Sequence, residues 1–368
     1  MIILSSITVD INKLNKIKWQ DIGDSPTTKY YTDWNQYEKI LKNQSEATFK
    51  IPEGKFDYIV GKCGNTNRTY EPKLIMPEES KIAGYHFYYL KEINEITLDS
   101  GIYKISFCNS ESESWVSQHL IINIKEGADV SLILYDERKS PGSTAVEINA
   151  HRKSKSNVAL LLNPDIKYPT VYLIRKALYD SSSMNSLTFS TPTSMNRIEE
   201  KAVLFENSIL KHNSLSFSYK NTRVDNIIDT IQVGKNSDSD ISGLGFAFDS
   251  SLSSVRGTAV ITYDAKKSKS KFLVEALILG DAAKAYTMPM MKIETGDVIS
   301  ATHRSAQYRV SDDVLFYLQS RGLSNDEIIS LLVYEKSINM ANHLENIKDV
   351  SQQYIRDKLE KILNINKK

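Results

Sequence analysis

No C-x-x-C pair occurs anywhere in the 368 residues, and Cys63 and Cys108 are the only cysteines. An iron–sulfur cluster or structural zinc held within one chain usually takes about four ligands, mostly thiolates, so this chain alone is expected to hold neither stably. A disulfide is not expected in a chain of this class either, and the two cysteines read as inert thiols. The phosphate loop G-x-x-x-x-G-K-[ST] is missing, so the chain is not expected to hydrolyse ATP itself. Neither a G-x-S-x-G nucleophile turn nor an H-E-x-x-H helix occurs, and His86, His119, His151, His212, His303 and His343 are scattered. Gly243-Leu244-Gly245 lacks the third glycine of a nucleotide fingerprint and reads as a turn. Asp238 and Asp240 lack the glycine and distal glutamate of an EF-hand and read as a polar turn. With no catalytic constellation legible, the chain reads as a non-enzyme.

A strong charge of either sign is also absent. Lys plus Arg number 46 against 45 Asp plus Glu, a net charge of +1, so nothing draws the chain electrostatically to nucleic acid or to an anionic membrane. The short basic run His151-Arg152-Lys153-Ser154-Lys155 reads as a solvated loop. No apolar run is long enough to span a bilayer. The start, Met1 to Asp10, lacks the basic region, long apolar stretch and cleavage site of an export signal, and the expected location is cytoplasmic.

What is present divides into three parts. Residues 1–80 are mixed, with the turn signal Gly23-Asp24-Ser25-Pro26 followed by Tyr30, Tyr31, Trp34 and Tyr37. Trp34 and Tyr37 stand i, i+3 apart and are expected to share a helix face as a packing anchor. Residues 81–306 read as mainly β, in short apolar or alternating runs such as Leu120–Ile124, Val130–Leu134, Val158–Leu162, Thr258–Thr262 and Phe272–Leu279. A sandwich pair, a barrel or a solenoid all suit that pattern, and no strict repeat period decides among them.

Residues 307–368 switch to helix. Ser311 with Asp312 and Asp313 makes an N-cap with acidic residues at the positive dipole end, and Val314, Leu315 and Leu318 form the expected apolar face. Arg321 suits the negative end, and Gly322 the left-handed position after it. Ser324 and Glu327 form a capping box before Ile328, Ile329, Leu331 and Leu332. A last amphipathic helix carries Ile355, Leu359, Ile362 and Leu363 on one stripe.

The run His303-Arg304-Ser305-Ala306, then Val310-Ser311-Asp312-Asp313, then Leu315-Phe316-Tyr317-Leu318-Gln319-Ser320-Arg321-Gly322-Leu323 resembles the SufB/SufD family of the Suf iron–sulfur cluster assembly system. Further upstream, Leu277-Ile278-Leu279-Gly280-Asp281, Pro289 with Ile293, Asp297-Val298, the Arg256-Gly257 turn and Ile124-Lys125-Glu126-Gly127-Ala128-Asp129-Val130 resemble other elements of that family. The resemblance implies a right-handed parallel β-helix with a helical C-terminal region. It implies a non-catalytic scaffold subunit that pairs through its β-helix with a SufB-like paralogue or a second copy of itself. It also implies docking of a SufC-like ABC ATPase on the helical end, with Phe316, Tyr317, Arg321 and Gly322 as candidate contacts. Ala282, Ala283 and Ala285 stand where SufB-like chains carry a cysteine, and Arg304 stands in place of a glutamate. The likeness is therefore closer to SufD, and His303 is the remaining candidate ligand for a transient cluster at a subunit interface. A carbohydrate-active β-helix enzyme and a purely structural, self-assembling β-solenoid are the alternative readings.

Overall fold

The structure, a computed structural model, describes residues 9–19, 31–41, 46–69 and 71–364. The Gly23–Pro26 turn signal, Tyr30 and the first eight residues lie outside them. From Leu90 onward the chain steps back and forth between two sheets, because its apolar runs are short, β-branched-rich and separated by tight polar turns. One sheet orders Tyr58–Val60, Gly101–Phe107, Asp129–Asp136, Lys155–Leu162, Ser183–Ser190, Ile209–Ser218, Asp238–Ala247, Ser268–Ile278 and Val298–Tyr308. The second orders Asn67–Thr69, Leu90–Leu98, Val116–Ile124, Gly142–Ala150, Thr170–Leu178, Met195–Leu204, Arg223–Gln232, Leu252–Ile261 and Lys284–Ile293. Neighbours in both sheets are parallel, except that Asn67–Thr69 runs antiparallel to Leu90–Leu98. This is a parallel β-solenoid, one strand per sheet per turn.

The in-register partners explain why no repeat is visible in the sequence. Val116 lies beside Gly142, Gly142 beside Thr170, and Thr170 beside Asn196, steps of 26, 28 and 26 residues. Asn196 lies beside Val224, Val224 beside Ser253, and Ser253 beside Ala285, steps of 28, 29 and 32.

At one corner the turn residues Gly127, Lys153, Ser181, Asn207, Asn236 and Lys267 all have positive φ. Their backbone N–H groups donate along the stack, Lys153 to Asp180 O, Ser181 to Glu206 O and Asn207 to Lys235 O. The residue after each is small and buried: Ala128, Ser154, Ser182, Ser208, Ser237 and Ser268. Hydroxyls of Ser154, Ser208 and Ser237 donate to the carbonyls of His151, Phe205 and Gly234, closing each turn from within. The Gly127 element and the basic run at 151–155 are thus two levels of one column.

Three apolar clusters follow from strand alternation. Inward-facing Leu, Ile and Val fill the lumen. On the outer face of the first sheet, Leu187, Phe189, Phe217 and Phe246 are covered by Val333, Leu344, Ile355 and Leu359 of the C-terminal helices Asn325–Asn339 and Lys348–Asn364 and their connection. On the outer face of the second sheet, Ile121, Ala145, Val171 and Leu173 are covered by Tyr37, Leu41, Ile75 and Ile82 from the N-terminal segment. Tyr37 is fully buried and donates its hydroxyl to the carbonyls of Thr170 and Met195. Residues Lys81–Tyr89 form a helix capped by Ser80, three short strands precede it, and the continuous run of strands starts at Leu90. Among the described residues no helix is long and apolar enough to cross a membrane.

Several local readings are corrected. Gly243 and Gly245 lie inside Asp238–Ala247 rather than in a turn; they face the lumen, where a Cβ would meet Val255 Cγ1 at 2.6 Å and Ser253 Oγ at 2.3 Å. Asp238 and Asp240 sit in the same strand, beside Lys269 and Lys271. Arg256-Gly257 is mid-strand, not a turn: Gly257 has φ +155°, and a Cβ there would lie 1.8 Å from Ile228 O. Cys63 and Cys108 are joined in a disulfide, not held as separate thiols. The loop 61–64 and the start of Asn109–Glu111 are brought together only by the fold, which spacing could not show.

Candidate functional site

The strands Lys284–Ile293 and Val298–Tyr308 end the two sheets, and nothing among the described residues pairs with their outer edges. The lumen is therefore open at this end. Phe272 and Val274 of the preceding strand face the lumen, fully buried, and their register partners are His303 and Ser305. Parallel neighbours in register share a face, so His303 and Ser305 point into the open lumen. Both are exposed, whereas the residues beneath them are not. Ser305 Oγ lies 2.6 Å from Thr287 Oγ1, whose hydroxyl donates to the Gln307 carboxamide oxygen at 3.1 Å, and the two sheets are thus bridged across the mouth. Arg304 faces outward and pairs with Glu275 at 3.1 Å. Among the described residues no cluster of three His, Cys, Asp or Glu could hold a metal ion, and His303 offers one imidazole.

After Val298–Tyr308 the chain enters the helix Asp312–Ser320, which packs on the following helix. Ser311 caps it, accepting from Val314 N, and Gly322 adopts φ +93° after it. The Ser324–Glu327 capping box starts Asn325–Asn339. No residue of Asp312–Ser320 is buried, so the expected apolar face of Val314, Leu315 and Leu318 does not pack on the solenoid. Phe316 is 75% exposed and Tyr317 56%. The Arg321 guanidinium lies 5.3 Å above the Tyr317 ring. Val314 and, on the following helix, Leu331 are exposed as well.

The helices are pinned to the solenoid by a polar column that sequence reasoning missed. Ser131, Asn157, Asn185 and Asn213 are successive register partners on the first sheet's outer face. Asn157 Oδ1 accepts from Glu345 N, Asn213 donates to Met340 O, and Asn346 donates to Ser131 Oγ. His343 Nε2 donates to Ser186 O at 2.8 Å, which leaves Nδ1 to accept from Asn213. Only a neutral ring satisfies both, and burial pushes the His343 pKa down to about 4.

Inside the lumen, Lys176, Glu200 and His212 form a second cluster missed by sequence reasoning, in which Lys176 Nζ is 3.2 Å from Glu200 Oε2 and 3.1 Å from His212 Nδ1. Burial alone would raise the Glu200 carboxyl, but the adjacent His212 and Lys176 hold it below the usual carboxylate range. Burial lowers His212, and also His86 beside His119 on the opposite outer face. The cluster could have been suspected only from charged residues at lumen-facing positions, which requires the register.

All three histidines have folded pKa values below the unfolded value of 6.5, so the unfolded chain binds their protons first as pH falls. Their contribution is complete above pH 6.5 and shrinks below it. For His343 the loss between pH 6.5 and 5 is about 2 kcal/mol. Thermal melts of the wild type and of His343→Gln at pH 7.5, 6 and 5 are expected to converge on acidification. Parallel pH curves would contradict this.

A family model described as "SUF system FeS cluster assembly, SufBD core domain" matches residues 107–336. The chain is 24% identical to an iron–sulfur cluster assembly SufBD family protein of Synechocystis over 237 residues, 59% of this chain and 48% of that protein. It is 30% identical to one from Galdieria sulphuraria over 103 residues, 28% of this chain and 46% of that protein. Similarity to one from Pyrococcus horikoshii is 24% over 319 residues, 83% of this chain and 68% of the relative. The chain thus spans about half the length of the first two relatives.

Proposed function

This chain belongs to the SufBD core family of the SUF iron–sulfur cluster assembly system, and from that premise we propose that it is a non-catalytic, SufD-like scaffold subunit. It pairs with a SufB-like chain or a second copy through the open end of its solenoid, and docks a SufC-like ABC ATPase on its C-terminal helical region, at the exposed helix Asp312–Ser320. The observation that carries the reading is the uncapped last turn. Solenoids need polar caps or a partner at their ends, and two unpaired parallel edges at one end are a template for strand addition. Pro289 in Lys284–Ile293 removes one donor from that edge, which leaves Val298–Tyr308 the better pairing strand.

The cluster is cargo in this reading. Both cysteines are tied to each other far from the mouth, and His303 supplies one inward-facing imidazole, so the remaining ligands come from the partner chain. ATP hydrolysis belongs to the docked ATPase. The expected setting is cytoplasmic, with no role for nucleic acid or membrane.

The test is reconstitution with the partner chains. His303→Ala is expected to slow cluster assembly at least tenfold in the complex, with the complex still forming and its melting temperature unchanged, since His303 is exposed. Wild-type assembly rates would assign the histidine to structure alone. Failure of the wild-type chain to co-purify with any SufB-, SufD- or SufC-type protein would sink the scaffold reading itself.

A further inference from the structure

The scaffold reading makes no use of the Cys63–Cys108 disulfide, which sits at the opposite end of the solenoid from His303. There the first sheet begins with Tyr58–Val60, paired over three residues with Ile105–Phe107. Beside it, Thr48–Lys50 pairs over three residues with Asn109–Glu111, immediately after Cys108. Val60 is fully buried at the end of the lumen core. The segment 46–69 is thus a lid over the first turn, held by three very short ladders, the third pairing Asn67–Thr69 with Ile93–Glu95, by side-chain contacts such as Arg68–Glu92, and by one covalent bond.

The two sulfurs are not equivalent. Cys63 is partly exposed in the loop 61–64, while Cys108 is 1% exposed. The Cys63 backbone N–H lies 3.2 Å from Cys108 Sγ. The Gln118 carboxamide is buried with neither its nitrogen nor its oxygen partnered, and it lies against the same Gly61 as Cys108 Sγ. An accessible sulfur bonded to a buried sulfur that already has a donor, with an uncommitted amide beside it, is arranged for attack at the first and departure of the second.

We propose that Cys63–Cys108 is a reversible thiol–disulfide exchange site whose co-substrate is a small thiol or a protein dithiol, and that its state locks or releases the lid 46–69. A thiolate of the co-substrate attacks Cys63 Sγ, the S–S bond breaks, and its electron pair leaves on Cys108 Sγ, which then takes a proton. A second co-substrate thiolate attacks the mixed disulfide, forming the co-substrate disulfide and releasing Cys63 as the thiolate, which is then protonated. The protein gains two electrons and two protons, and two co-substrate thiols become one disulfide.

The experiment uses the full chain, equilibrated in glutathione buffers of varied ratio, with maleimide mass labelling and hydrogen-exchange mass spectrometry. In glutathione disulfide no maleimide adds. In excess glutathione two add per chain, exchange across 46–69 rises at least tenfold, and exchange across 116–261 stays the same. Reoxidation restores the first pattern, and the double variant Cys63→Ser with Cys108→Ser shows the released pattern in every buffer. Two free thiols in glutathione disulfide would overturn the proposal, as would unchanged exchange across 46–69 on reduction. Loss of the whole fold on reduction would mark the bond as purely structural and equally overturn it. None of these outcomes bears on whether the chain co-purifies with SUF partners.

Discussion

Changing Tyr317 and Arg321 together to alanine is expected to weaken binding of the SufC-like ATPase at least thirtyfold while leaving the melting temperature of the chain unchanged. Exposed aromatics backed by an arginine are the residues whose truncation most often costs an interface about 2 kcal/mol or more. Here the arginine lies over the tyrosine ring, and neither is buried in the chain. The helix that carries Tyr317 has no buried residue, so truncation opens no cavity, and its caps at Ser311 and Gly322 are untouched. Phe316→Ala, at the most exposed large apolar side chain of the same helix, should behave alike. Trimming the chain after Ala306 is a poorer test. It strips Val333, Leu344, Ile355 and Leu359 from the sheet and uncovers Phe189, Phe217 and Phe246 together. Calorimetric titration of the double variant against the ATPase decides the matter. Wild-type affinity in a folded double variant would move the docking surface elsewhere.

The largest loss of stability from a single change is expected at Glu147. Its carboxylate is fully buried between the second sheet and the N-terminal segment. Oε2 accepts from the backbone N–H groups of Lys73 and Leu74 at 2.8 and 2.7 Å, and Oε1 accepts from Ile75 N and faces His119 Nε2, both at 3.1 Å. Glu147→Ala takes the acceptor from three backbone donors, of which that of Ile75 is buried and those of Lys73 and Leu74 are partly buried, and leaves His119 without its partner, at a cost of about 3 kcal/mol. Glu147→Gln, which retains one acceptor oxygen, should fall between the two. The damage begins locally, because residues 73–75 tether Ile75 and the helix Lys81–Tyr89 to the sheet. Chemical denaturation measures the total, and proteolysis near residue 80 should precede global unfolding in the alanine variant. A loss below about 1 kcal/mol would show that the apolar contacts alone hold the segment.

The C-terminal helical region was legible because its signals are local. Ser311, Gly322 and the Ser324–Glu327 box act within one turn of helix, and the stripe Ile355, Leu359, Ile362 and Leu363 is buried as its spacing requires. The solenoid was legible as strands but not as a period. Its corner accepts Gly, Lys, Ser and Asn alike at the left-handed position, and each turn takes a different number of residues. Glu147 was illegible for another reason. It stands in the ordinary alternation Val146-Glu147-Ile148, and its partners are backbone N–H groups that carry no sequence signature. The cysteines and the Lys176–Glu200–His212 cluster likewise become neighbours only through register. The apolar face expected of Val314, Leu315 and Leu318 is not buried, and Phe316 and Tyr317 both face solvent, because their helix leans on its successor rather than on the sheet.

The lumen changes character along its axis. Leu120, Ile122, Leu132, Leu134, Val146 and Ile148 fill the early turns, while Ser214, Ser216, Gly243, Gly245, Ser253 and Ser270 line the later ones. In a one-dimensional stack each turn draws its stability from its own packing and from a coupling to each neighbour. The turn formed by Lys284–Ile293 and Val298–Tyr308 has a neighbour on one side only. Cooperativity therefore runs out toward this end. A second solenoid set against it would supply the missing coupling and merge two stacks into one longer cooperative array, so assembly and the folding of the final turn become a single thermodynamic event.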